Sequence, residues 1–117
     1  MTSRLHAKYD KRDGFYSKLA DDPDLKELVA VFVQEIPTRV AALIDCLADG
    51  NWETLGRLTH QFKSAVGSYG FDELVPVANR LEVAVREGDA EDAVADALTE
   101  LVETCRRVRT GSPRGDG

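Results

Sequence analysis

"DDPDLKELVAVFVQEIPTRVAALIDCLADG", residues 21–50, sets the fold class. Its apolar residues Leu25, Leu28, Val29, Phe32, Ile36, Val40, Leu43 and Leu47 recur every third or fourth position, the period of one helix face. Asp22 stands where an N-cap side chain would, and Pro23 takes the first helical position, where its missing N–H costs least. Pro37 falls inside the stripe and removes a backbone donor, so a kink is expected there. The stripe keeps its phase beyond Pro37, which predicts one bent helix rather than two. Gly50 and Asn51 supply a stop and a restart.

The helical period continues to both sides of this segment, and no strand-like alternation persists. A second helix is expected from Trp52 to about Tyr69, with Trp52, Leu55, Leu58, Thr59, Phe62, Ala65, Val66 and Tyr69 on its core side. A third begins near Asp72, carries Leu74, Val77, Ala78, Leu81 and Val85 inward, and ends at Gly88. A last helix, capped by Asp89 with support from Asp92, presents Val94, Leu98, Leu101, Cys105 and Val108 as a packing seam. Turns of two or three residues between them make sequential helices antiparallel. The expected fold is therefore all-α, an up-and-down antiparallel four-helix bundle over residues 22–109. Residues 1–21 contribute a short helix or an arm packed on one end of the bundle, through Leu5, Tyr9, Phe15, Tyr16 and Leu19. Residues 110–117 are expected to be a disordered tail, in which Arg114-Gly115-Asp116 is read as chance composition.

At 117 residues the chain suits one domain with a modest core. Lys plus Arg number 15 against 21 Asp plus Glu, for a formal charge of −6, which argues against nucleic acid as a partner. No apolar run approaches the length of a membrane span, and the amino terminus lacks the apolar core of a signal peptide, so a cytoplasmic protein is expected. Cys46 and Cys105 are isolated and read as small buried hydrophobes, not as a disulfide or a metal site.

On a helical wheel His60 lies roughly 160° from the centre of the second helix's core face, so it points at water. Its face-sharing neighbours are Gly56, Arg57, Lys63 and Ser64, with Gly67 one turn further on. A glycine in a helix interior costs about 0.5–1 kcal/mol relative to alanine, and this face accepts that cost twice. On a solvent-exposed face, packing does not account for it. Close approach by another protein does. Lys63 and Arg57, one turn away on either side, would offset negative charge arriving on the ring. An exposed nucleophile, a nearby cation and a bare surround suit phosphoryl transfer, where catalysis is mostly positioning and charge neutralisation.

The stretch "HQFKSAVGSYG", residues 60–70, resembles the motif of the histidine-containing phosphotransfer (HPt) domain, His-x-Leu-Lys-Gly-Ser/Ala with a glycine ten positions after the histidine. His60, Phe62, Lys63 and Gly70 match that register, Phe62 in place of leucine, and Ser64 stands where the family usually has glycine. The resemblance extends over about residues 22–108. It implies a phosphorelay intermediate in two-component signalling: His60 takes a phosphoryl group from a receiver-domain phosphoaspartate and passes it to another receiver's aspartate. The attacking imidazole must be neutral, which a histidine's ordinary pKa of about 6.5 allows. By the same resemblance Nε2 reacts, Lys63 stabilises the phosphoryl oxygens, and Gln61 and Ser64 hydrogen-bond to the phosphoryl group or the partner. Gly56, Arg57, Gln61, Ser64 and Gly67 make up the receiver-docking face. The serine hydroxymethyl at position 64 is read as tuning of that docking.

The implied partners are receiver domains of response regulators and of hybrid histidine kinases, met by a monomer. Magnesium and the acidic pocket belong to the receiver; no cofactor or metal is expected on this chain. With no P-loop and no glycine-rich ATP lid, it is expected to be a phosphocarrier and not a kinase. The alternative is a non-phosphorylated HPt-like adaptor that only binds receivers. A metal-binding bundle is rejected, because the core stripes are apolar and the second histidine, His6, lies outside them. Glu82 and Arg86, four residues apart, are expected to pair on the surface of the third helix.

Overall fold

The computed structural model describes residues 14–110. Four helices follow one another: α1, Lys26–Ala48; α2, Trp52–Ser68; α3, Leu74–Arg86; and α4, Glu91–Cys105. Each packs on its sequence neighbours and α1 closes on α4, which completes the expected antiparallel bundle. Among the described residues there is no strand, only an isolated parallel bridge between Phe15 and Val108.

The core follows the stripes. Val29, Phe32, Ile36, Val40 and Leu43 of α1 are buried against Leu55, Phe62 and Val66 of α2, Leu74, Ala78 and Leu81 of α3, and Val94, Leu98 and Leu101 of α4. At one end, aromatic rings close the bundle. Phe32 stacks on Tyr69 with centroids 4.6 Å apart, and Phe71, fully buried, meets Phe15 edge-on at 6.4 Å. α1 runs unbroken with Pro37 inside it, so this is one helix and not two.

Three helix ends share one device. Gly50, Gly70 and Gly88 have φ of 68°, 82° and 69°, and each following N–H bonds back to a carbonyl five residues earlier. At Gly70 the requirement is double: a Cβ there would stand 2.6 Å from Ser17 Oγ and 3.0 Å from Leu19 Cγ. Residues 14–20 cross this end of the bundle. Lys18 N–H donates to the Gly70 carbonyl (2.9 Å), the Ser17 hydroxyl to the Tyr69 carbonyl (2.5 Å), and Phe15 bonds to Arg107 and Arg109.

Several local expectations are corrected. Regular helix starts at Lys26: Asp22 Oδ1 accepts from Asp24 N–H (2.8 Å) and opens a preliminary turn, three residues ahead of the α1 N-cap at Leu25. Asp89 does not cap α4. Ala90 holds that position, because the Asp89 backbone N–H closes the end of α3 on Ala84. Leu28 (53% exposed) and Trp52 (40%) face solvent, each one residue off the phase of its buried stripe or at the helix tip. Val108 lies beyond α4 and pairs with Phe15. The connection 49–51 has the expected length, and 69–73 and 87–90 are longer than expected. Most of the 1–21 segment, with His6, and the tail from residue 111 lie outside the described residues.

Candidate functional site

Burial of α2's inner side fixes its rotation. Leu55, Thr59, Phe62 and Val66 are buried, and the Thr59 hydroxyl is satisfied on the Leu55 carbonyl at 2.7 Å. Asn51 caps the helix by accepting from Thr54 N–H (3.3 Å). His60 is thereby turned outward, its side chain 62% exposed. The ring is nonetheless held on one edge. Nδ1 lies 2.7 Å from Oε2 of Glu82, which reaches across from α3 and is itself only 12% exposed. The other carboxylate oxygen, Oε1, faces Lys63 Nζ at 2.6 Å, and Lys63 also donates to Asn79 Oδ1 at 3.1 Å. Two residues from each helix thus form one polar chain across the α2–α3 seam.

The Lys63 ammonium holds the Glu82 carboxyl below the usual 4.5; burial opposes this, and His60 adds to the lowering. Glu82 is therefore ionised near neutral pH and has no proton to give. An ionised carboxylate only accepts, so Nδ1 carries the hydrogen and Nε2 of the neutral ring keeps its lone pair.

Glu82 and Asn79 were not legible as site residues, and the expected Glu82–Arg86 pair is corrected. Arg86 is exposed and makes no ion pair among the described residues, whereas Glu82 points at α2. The spacing rule considers one helix alone, and here two groups on a neighbouring helix offer a drier partnership. A signal existed: Glu82 follows Ala78 by four residues and lies beside Leu81, in the phase of a core stripe. An acid in that phase needs a cation opposite.

The other predicted residues surround His60 in two ways. Arg57, Gln61 and Ser64 are exposed. Gly56, Lys63 and Gly67 are half-buried and line the seam with α3. The expectation of a fully solvent-exposed glycine face is thus corrected, because α3 packs along its edge. A Cβ on Gly56 would stand 3.4 Å from Val85 Cγ1, and one on Gly67 3.7 Å from Val75 Cγ2, both ordinary contacts. Among the described residues nothing demands a glycine at either place. Lys63 contacts Glu82 and Asn79, so it reaches the ring through its partner.

Among the described residues no cluster of three or more His, Cys, Asp or Glu side chains could hold a metal, and no helix is long and apolar enough to cross a membrane. Cys46 and Cys105 are free and half-buried. A family model described as the Hpt domain matches residues 27–111, most of the chain. No curated protein and no solved structure matches it. Hpt domains are phosphocarrier modules of two-component phosphorelays that interact with receiver domains. The four-helix bundle and the matched span agree, and the chain belongs to the Hpt domain family.

Proposed function

We propose that His60 is the phosphoacceptor, taking a phosphoryl group from a receiver-domain phosphoaspartate and returning it to the aspartate of another receiver. The observation that carries this reading is the contact of Nδ1 with Glu82 on a ring otherwise open to solvent. The Nε2 lone pair attacks phosphorus, a P–N bond forms, and the acyl P–O bond breaks with its electron pair leaving on the aspartate carboxylate. No proton has to move. The ring gains a positive charge as its nitrogen is phosphorylated, and Glu82 lies where it compensates that charge through Nδ1–H. Transfer onward is the same step reversed, with the next aspartate as nucleophile.

Lys63 supplies the cation for the transferring oxygens. Its ammonium is stored on Glu82 and Asn79 one helical turn from His60, and its four-carbon stem lets it turn to an arriving phosphoryl group. Gln61 and Ser64, both exposed, are available to hydrogen-bond to that group or to the partner. Gly56, Arg57 and Gly67 complete the docking face, and magnesium comes with the receiver. The carrier has no kinase activity of its own.

The test is transfer of labelled phosphate from a phosphorylated receiver in magnesium buffer. Wild-type protein is expected to take up an acid-labile, alkali-stable label, and His60→Gln to take up none. Label retained by His60→Gln moves the site elsewhere. A receiver that binds the wild type tightly without passing label would favour the adaptor reading.

A further inference from the structure

The α3–α4 hairpin concentrates the negative charge of the chain. Residues 72–105 hold ten acidic and two basic side chains, a net of −8 against −6 for the whole chain. A groove of about 660 Å3 runs between the two helices, on the flank of α3 away from Glu82 and His60. Its floor is small and apolar: Val83 and Ala84 from α3, Ala93 and Ala97 from α4. Asp89, Asp96 and Glu100 follow its α4 edge over about 16 Å. The opposite edge, Pro76, Asn79 and Arg80, carries one cation, and Arg80 is committed to an ion pair with Glu100. Asp89 and Asp96 are exposed and make no ion pair among the described residues. The groove thus sets two uncompensated negative charges beside an apolar floor.

We propose that this groove seats a basic amphipathic helix of a partner protein, at a site separate from the phosphoacceptor. Two packed helices with alanines along their seam let a third helix approach closely with its apolar face down. Lysines or arginines two turns apart on its flank, about 10 Å, match the seven-residue spacing of Asp89 and Asp96. The acidic edge lies on the α4 side alone, so it fixes which flank of the incoming helix must be basic. His60 is not among the lining residues and its side chain is 62% exposed, so a partner held in the groove leaves the ring accessible. Asn79 links the two places: it lines the groove, and its Oδ1 accepts from Lys63 at 3.1 Å.

The probe is a synthetic helix of about 18 residues of leucine, alanine and lysine, with its lysines along one flank of an apolar face. Its binding to the full chain is read by fluorescence anisotropy at about 50 mM salt and mapped by 15N–1H NMR. No phosphate enters this assay, so its failure leaves the phosphoacceptor reading standing. Saturable binding below about 1 mM is expected, with amide shifts at Val83, Ala93, Asp96 and Ala97. Asp96→Lys, a surface change, and Ala93→Phe, which fills the floor, are each expected to weaken it roughly tenfold. Asp45→Lys, exposed on α1 and outside the groove, makes the same charge change and is expected to leave binding within about twofold. Circular dichroism melts identify a variant that has lost its fold, and Asp96→Lys carries the test if Ala93→Phe has. The proposal is overturned by an absence of saturable binding, by equal affinity for a scrambled peptide of the same composition, or by a loss in Asp45→Lys as large as in Asp96→Lys. Sedimentation of the chain alone as a dimer that Asp96→Lys splits would assign the groove to a second copy and overturn it as well.

Discussion

Replacing Glu82 with glutamine keeps the shape of the side chain and removes one charge. The wild-type carboxylate accepts from Nδ1–H of His60 at 2.7 Å and forms an ion pair with the Lys63 ammonium at 2.6 Å. Glutamine has one acceptor oxygen and one NH2 group. With its oxygen toward Lys63, which can only donate, the NH2 faces Nδ1 and forces that nitrogen to accept. The ring hydrogen then resides on Nε2, and the lone pair that attacks phosphorus is gone. With the amide turned the other way, NH2 confronts an ammonium. Either arrangement forfeits a charge-assisted hydrogen bond of about 1.5–3 kcal/mol. If that difference appears in the transition state, at about 1.4 kcal/mol per tenfold, transfer slows roughly 10- to 150-fold. Single-turnover transfer from a phosphorylated receiver gives the rate, and phosphoramidate labelling gives the same ratio without docking. A Glu82→Gln rate within twofold of wild type by both routes would refute the orienting role.

Lys63→Ala is expected to slow transfer without loss of helical content, and an unchanged single-turnover rate would remove its proposed role. The same variant has a signature in pH. Lys63 depresses the Glu82 carboxyl, so its stabilisation is complete above the usual 4.5 and is lost as pH falls through the lower folded value. The difference in Tm between wild type and Lys63→Ala should therefore be full near neutrality and shrink below pH 4.5. Gly70→Ala is expected to cost about 1–2 kcal/mol for the left-handed backbone alone, with the clash against Ser17 in addition, and to lower Tm by more than about 5 °C. Gly56→Ala, in ordinary contact with Val85, should instead hold or raise Tm, which thermal melts of the two variants compare directly. Burial pushes the Cys105 thiol up to about 12, so native protein at pH 8 should resist alkylation there and react once denatured, as peptide mass spectrometry reads out.

The bundle was legible because each core stripe repeats at the helical period and the first three helices each end at a glycine. Phe32, Ile36, Val40 and Leu43 are buried as their spacing requires. What a single-helix pattern misses is the edge where two helices meet. Leu28 and Trp52 were placed inward from their spacing to buried neighbours, and both are exposed because the core takes a narrower stripe than the apolar residues offer. Gly56 and Gly67 looked bare, and α3 runs beside them. Glu82 was the largest omission: its position relative to Lys63 and His60 depends on the register between α2 and α3, which no local spacing encodes. His60 itself, outward and reachable, was readable from the wheel. Gly70 was read only as part of a motif, and its reason is a helix end pressed against residues 17–19.

The central proposal, attack through Nε2 of a ring held at Nδ1 by Glu82, is tested most directly by two-dimensional 15N–1H NMR of the imidazole before and after phosphorylation. A phosphoryl group bonded to Nε2 of His60, with Nδ1 protonated in both states, is the expected result. Phosphorus on Nδ1, or on any residue other than His60, would contradict it.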